Sequence, residues 1–249
     1  MRNKVHYIKP QNNDFAEAVR IGFMKALQII AEKNISNLKF VITGMDQLDA
    51  PNHISAGLDK ILNNKGGIYT KILKKDRSFS IPQYPTDDQT TGVNLVLLNS
   101  NPTFSDHNTV VLLIWGDYDS FKKLESILFN TEIELVVVVY NENQPLNELL
   151  SSTNAQNISG SNDSNVTPYI NTFSEQTNNI LRRLLTINVT SFSSNTHTRE
   201  TMKNVIDDLK DKKLVISYLD FLGFLVNEVN FPLQESVGLL HWKRSYFNR

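Results

Sequence analysis

Four aspartates carry the clearest potential for chemistry in this chain. Asp46 and Asp49 follow an apolar segment at 38–43, and Asp117 and Asp119 follow another at 110–115. If both segments are parallel strands of one open sheet, their carboxyl ends lie at the edge where such sheets bind ligands. Several carboxylates together can hold a hard divalent cation, so the four aspartates predict a Mg²⁺ or small-ligand site.

A third polar loop, at 141–143, adds two asparagines and a glutamate to the same predicted edge, because it follows the apolar segment 135–140. A second interpretation of these loops needs no ligand, since Asp and Asn are common helix caps and turn formers. In that interpretation Asp119 caps the helix that follows it and Asp117 lies in a turn. We favour this second interpretation, because it explains each residue singly.

Signatures of nucleotide binding and of catalysis are missing from the sequence. Neither common glycine-rich phosphate loop is present, and the aspartates that follow Gly44 and Gly116 would repel a phosphate unless a metal intervened. The G-x-S-x-G elbow of serine hydrolases is also missing. Of five scattered histidines, His53 lies near Asp49 at a predicted helix start and could act as a general acid or base. We therefore expect no cofactor, with Mg²⁺ implied only by the metal-site interpretation.

The C-terminal segment 241–249 mixes basic and aromatic residues. The residues that we expect to contact a partner are Trp242, Lys243, Arg244 and Tyr246. Aromatic and arginine side chains are common anchors of protein–protein interfaces, and the same mixture can bind single-stranded nucleic acid. The alternative is a last helix whose Trp242 packs inward and whose cations favour its C-terminal end.

The segment 109–141 predicts the fold class. Two continuous apolar runs, at 110–115 and 135–140, are rich in β-branched residues and are typical of strands that are covered on both faces. Apolar residues recur at helical spacing between them, namely Phe121, Leu124, Ile127 and Leu128. A helical crossover makes the two strands parallel, so we predict an α/β protein with a Rossmann-like three-layer sheet flanked by helices.

The rest of the N-terminal half adds elements of both kinds. Periodicity predicts strands at 5–8 and 38–43, a helix from 15 to 34 capped by Asp14, and a helix at 54–62. The segments 68–73 and 77–81 resemble a short hairpin. An apolar strand at 93–98 is separated from the one at 109 by only about ten residues, including Pro102, which is too short for a helical crossover. We expect those two strands to be antiparallel or to meet through a long loop, which makes the sheet mixed.

Composition divides the chain into three parts. Residues 1–150 carry the α/β pattern. Residues 151–168 form a polar, low-complexity insert that we expect to be disordered, because it has little to bury. Residues 169–249 carry mostly helical patterns with broad apolar faces, and this helical portion must pack on the α/β core or on a partner.

Charge and composition argue against several classes of function. A net charge of −1 argues against nucleic-acid binding through bulk charge, and the absence of cysteine excludes disulfides, thiolate nucleophiles and cysteine-bound zinc. No apolar run is long enough for a membrane span and no signal peptide is recognisable, so we expect a cytoplasmic or nuclear protein.

Because catalytic signatures are missing, we predict a non-catalytic binding or scaffolding protein that acts through protein–protein contacts, as a subunit of a complex. The sequence leaves open whether the protein is an enzyme. The alternative function is a metal-dependent enzyme or small-ligand sensor that uses the carboxylates at the sheet edge.

Overall fold

The computed structural model describes residues 5–49, 52–83, 86–100, 109–125, 133–140, 142–160, 165–187, 196–231, 236 and 246. The strands of this part of the chain are β1 (Val5–Ile8), β2 (Asn37–Ile42), β3 (Ser78–Gln83), β4 (Thr86–Leu97), β5 (Thr109–Gly116), β6 (Ile133–Val139) and β7 (Gln156–Asn157). The α-helices are α1 (Phe15–Lys33), α2 (His53–Ile61), α3 (Ile68–Asp76), α4 (Tyr118–Glu125), α5 (Gln144–Ser152), α6 (Glu175–Leu181), α7 (Thr196–Asp211) and α8 (Tyr218–Gly223).

The seven strands form one sheet in the order β3-β4-β2-β5-β6-β1-β7. Every neighbouring pair is parallel except β3 and β4, which are antiparallel. Helix α4 links β5 to β6, and these two strands pair in parallel as the sequence predicted. The structure therefore confirms an α/β fold with a mixed sheet.

Helices cover both faces of the sheet. On one face, Phe23 of α1, Leu58 of α2 and Leu73 of α3 are fully buried with Leu112 of β5. Asp14 caps α1 by accepting the Glu17 backbone N–H at 2.9 Å. The predicted helix and its cap are therefore both confirmed, and α1 packs on both α2 and the sheet.

The C-terminal helices form the other layer. Leu184, Met202 and Phe221 belong to the same buried core as Val111 and Val137 of the central strands. Within the described ranges, the broad apolar faces of the helical portion are thus used in packing on the sheet. The division at 151–168 and 169 stays a prediction, although residues 156–157 of the proposed insert pair with β1 as edge strand β7.

Two glycines allow α1 to approach its neighbours closely. A Cβ added to Gly22 would stand 2.6 Å from the Val138 side chain of β6, and one added to Gly57 of α2 would stand 2.7 Å from the Ala16 carbonyl oxygen. Both separations are shorter than real Cβ contacts, so larger residues would push the helix away. The close crossing of α1 and α2 brings the first residues of the two helices together.

The predicted hairpin of 68–73 with 77–81 is wrong, although its second strand is present as β3. Residues Ile68–Asp76 form α3, which buries Thr70 and Leu73 one turn apart, and the hairpin is made instead by β3 with β4. The segment contains three lysines, which favour a helix, and its alternation is too weak to indicate a strand.

For the strands at 93–98 and 109–115, the antiparallel alternative is wrong, whereas the long loop of the other alternative falls mainly on residues 101–108, outside the described residues. Strand β2 lies between β4 and β5, and it is parallel to both. The prediction assumed that strands close in sequence are neighbours in the sheet, whereas here an earlier strand separates them.

The sequence also predicts a brief strand at 188–192 and a final helix that includes Trp242, and the strand and most of that helix lie outside the described residues. None of the helices in the described ranges combines the length and apolar character needed to span a bilayer.

Candidate functional site

The parallel strands β2, β5 and β6 bring their carboxyl ends to one edge of the sheet, as the carboxylate hypothesis required. Asp46 lies in a 3-10 turn after β2, and the Asp49 carboxylate is paired with Lys74 of α3. Asp119 lies in the first turn of α4. Across the part of the chain that the structure describes, no group of three or more His, Asp or Glu side chains is arranged to hold a metal ion.

Helix capping accounts for much of the polar character of this edge. Four helices begin there, and in each the side chain before the first residue accepts a backbone N–H three residues later. The cap residues are Asp14, Asn52, Asp117 and Asn143, with oxygen–nitrogen distances of 2.7–2.9 Å. The cap of α4 is therefore Asp117, where the sequence had suggested Asp119. These side chains satisfy N–H groups that otherwise lack partners in the helix.

Four rings meet at the same edge, and we call them the aromatic edge cluster: Phe15, His53, Trp115 and Tyr140. The Phe15 ring lies 5.2 Å from the rings of His53 and Tyr140 and 5.6 Å from Trp115, measured between centroids. Trp115 lies 5.2 Å from Tyr140 and 6.4 Å from His53. These separations and the tilted or edge-on geometry are those of favourable aromatic contacts.

Each ring of the cluster comes from a different element. Phe15 and His53 are the first residues of α1 and α2, Trp115 lies near the end of β5, and Tyr140 directly follows β6. The cluster thus depends on the parallel order of the strands and on the close crossing of α1 and α2. It is positioned by regular elements of the fold.

A β-bulge directs Trp115 into the cluster. Ile114 pairs with Val138 and Gly116 with Val139, so Trp115 is an extra residue on β5. Its φ is 57°, in the left-handed region. The bulge breaks the alternation of the strand, and Trp115 packs against the same core as Ile114, on the α1 and α2 face. Strained backbone of this kind is concentrated at functional sites.

The aromatic edge cluster is open to solvent. Tyr140 is 51% exposed, His53 is exposed, and Phe15 and Trp115 are half-buried. The cluster is therefore a ring-rich surface at the edge where α/β sheets bind their ligands.

An ion pair lies two residues beyond Tyr140. Lys9 Nζ lies 2.6 Å from Glu142 Oε1. Burial raises the pKa of Glu142, but hydrogen bonds from Lys9, Asn147 and Asn165 outweigh it and hold that pKa below the usual range. The pair links the loop after β1 to the loop after β6, so it joins the carboxyl ends of two neighbouring strands.

The predicted partner-binding residues lie apart from this cluster. Trp242, Lys243 and Arg244 fall outside the described residues, and their role stays a prediction. Tyr246 is half-buried, and its hydroxyl donates to the Leu214 carbonyl oxygen at 2.6 Å. This contact ties the residue to the helical layer.

Sequence reasoning considered only His53 of the four rings as a functional residue. The available signal was that each ring lies at a strand end or a helix start of the predicted carboxyl edge. A comparison with protein family models, with curated proteins and with solved structures finds no match for this chain.

Proposed function

We propose that the protein is a non-catalytic binding protein, a subunit of a complex, that contacts its partner through the aromatic edge cluster. The observation that carries this proposal is the convergence of four partly exposed rings at the carboxyl edge of the sheet. Tyrosine and tryptophan are enriched in protein interfaces because they bury a large area and lose little conformational entropy. Such anchors account for most of the binding free energy of an interface.

The packing of the C-terminal helices supports the choice of surface. Their apolar faces were the first candidates for a partner, but in the described residues they share a core with the sheet. The aromatic edge cluster remains as a group of large rings that packing leaves open to water. A contact surface at this edge is consistent with the exposure of the rings. It is also consistent with the role of the neighbouring polar side chains, which cap helices.

Affinity capture tests the proposal. The tagged full chain is expected to retain an identified partner from native lysate, and Tyr140→Ala is expected to weaken the reconstituted complex by about thirtyfold, as for an interface anchor. Ile170→Ala is the matched control, since it truncates another exposed apolar side chain, 72% exposed, away from the cluster. Equal binding by the wild type and Tyr140→Ala would contradict the proposal.

The second candidate is a metal or small-ligand sensor. The parallel ends of β2 and β5 favour it, because they place the loops with Asp46 and Asp117 at one edge. Mg²⁺ is expected to raise the melting temperature of the wild type and to have no effect on Asp46→Asn. A thermal-shift screen in which no divalent ion or nucleotide changes the melting temperature would exclude this candidate.

A further inference from the structure

A groove runs between the exposed side of α1 and the edge strand β7. It encloses about 600 Å³, within the range of ligand-binding clefts. Ile21, Met24 and Ile158 form its apolar lining, and Met24 is 48% exposed. The groove lies on the other side of α1 from Gly22 and is separate from the aromatic edge cluster.

Among the residues that the structure describes, those that line the groove include two cations, Arg20 and Lys25, and no carboxylate. Arg20 Nε donates to Glu17 Oε1 at 2.9 Å, which holds the guanidinium in place. Arg20 Nη1 lies 2.9 Å from the Met24 sulfur. Lys25 is half-buried, and its ammonium donates to the neutral Gln28 side chain at 3.2 Å. Lys25 is therefore the cation best placed to meet a carboxylate from outside.

We infer that this groove binds a short acidic and apolar peptide segment of a partner protein. An apolar side chain of the segment would lie on Met24 and Ile158, and a neighbouring carboxylate would meet Lys25. Complementary charge of this kind sets specificity more than affinity. The groove borders the edge strand, and edge strands are common sites for the addition of extended peptides. This surface goes beyond the aromatic edge cluster and does not depend on it.

Labelled synthetic peptides test the inference. Fluorescence polarisation would follow binding of an extended peptide of alternating aspartate and leucine to the full chain, beside the matched asparagine–leucine and lysine–leucine peptides. We expect the acidic peptide to bind at least about fivefold more tightly than either of the others, and high salt to reduce that preference.

Charge reversal locates the site. Lys25→Glu is expected to weaken binding of the acidic peptide at least about fivefold. It is also expected to reverse the binding preference, so that the lysine–leucine peptide binds more tightly than the acidic one. Lys203→Glu is the matched control, because Lys203 is an exposed lysine on α7 in the opposite layer. Circular dichroism would check that both variants keep the fold.

Two outcomes would overturn the inference. They are equal binding of the acidic and basic peptides, and equal effects of Lys25→Glu and Lys203→Glu on binding of the acidic peptide. The partner test with Tyr140→Ala has a separate readout, so failure here leaves the proposed function standing.

Discussion

The left-handed backbone at Trp115 reverses the usual ranking of alanine and glycine in a strand. At an ordinary strand position alanine is the more stable of the two, because glycine loses more chain entropy on folding. Trp115 has a φ of 57°, where only glycine is free of steric cost. We therefore expect Trp115→Gly to be more stable than Trp115→Ala, although both variants lose the same ring.

The size of the effect follows from two opposing terms. The left-handed conformation costs an alanine about 1–2 kcal/mol. The greater entropy loss of glycine offsets about 0.5–1 kcal/mol of that difference. The free energy of unfolding of Trp115→Gly should then exceed that of Trp115→Ala by about 0.5–1 kcal/mol.

Urea unfolding followed by circular dichroism measures the difference. Lys39 is the control, since it is a half-buried residue of β2 that is not among the positive-φ residues. There alanine should be more stable than glycine by about 0.5–1 kcal/mol. A Trp115→Ala variant as stable as Trp115→Gly, with the normal ranking at Lys39, would refute the bulge geometry.

Three further changes test the packing around the sheet. Gly57→Ala should lower the free energy of unfolding, measured by urea titration, by about 1–2 kcal/mol, because overpacking against α1 outweighs the gain in helix propensity. Unchanged stability would contradict the close crossing of α1 and α2. Lys33→Met should lower the free energy of unfolding by about 2–3 kcal/mol, because it leaves the carboxylate of Glu134, which is 3% exposed, without its lysine. Glu134→Gln should lower it by less, since it removes the buried charge. Equal losses of stability would count against a buried ion pair. The lowered pKa of Glu142 adds stability above its unfolded pKa and loses it as pH falls through the folded pKa. Lys9→Met should therefore lower the free energy of unfolding by about 0.5 kcal/mol at pH 7 and by almost nothing once the pH is below the folded pKa of Glu142; a cost that stays constant with pH would exclude this pairing.

Strong periodicity made the central part of the fold predictable. The β5–α4–β6 unit has long apolar runs on either side of a helical pattern, and parallel pairing follows from the crossover. The segment 68–76 has a short and ambiguous pattern, and its helix is fixed by contacts of Leu73 with the core. The position of β2 between β4 and β5 depends on contacts between distant parts of the chain, which local patterns do not contain.

The position of the candidate site at the carboxyl edge of the sheet was predictable from the sequence, but the residues that form it were not. Parallel strands implied a common carboxyl edge, and the structure has one. The direction of the Trp115 side chain depends on a one-residue bulge, and alternation along the strand would have sent it to the opposite face. Capping likewise depends on which residue begins each helix, and a shift of two residues exchanges Asp117 for Asp119 in that role.

Stability of the isolated chain does not account for the aromatic edge cluster. A ring that serves the core ends fully covered, as Phe23 does at 0% exposure, whereas Tyr140 keeps 51% of its surface in water. Trp115 is half-buried, and its backbone carries a strain of about 1–2 kcal/mol. Both features are unfavourable in the free protein. Full burial of a large apolar side chain contributes about 1.5–3 kcal/mol, and each of these two rings is already about half covered. A partner that covered the rest of both rings would therefore add about 1.5–3 kcal/mol in all, enough to offset a strain of about 1–2 kcal/mol.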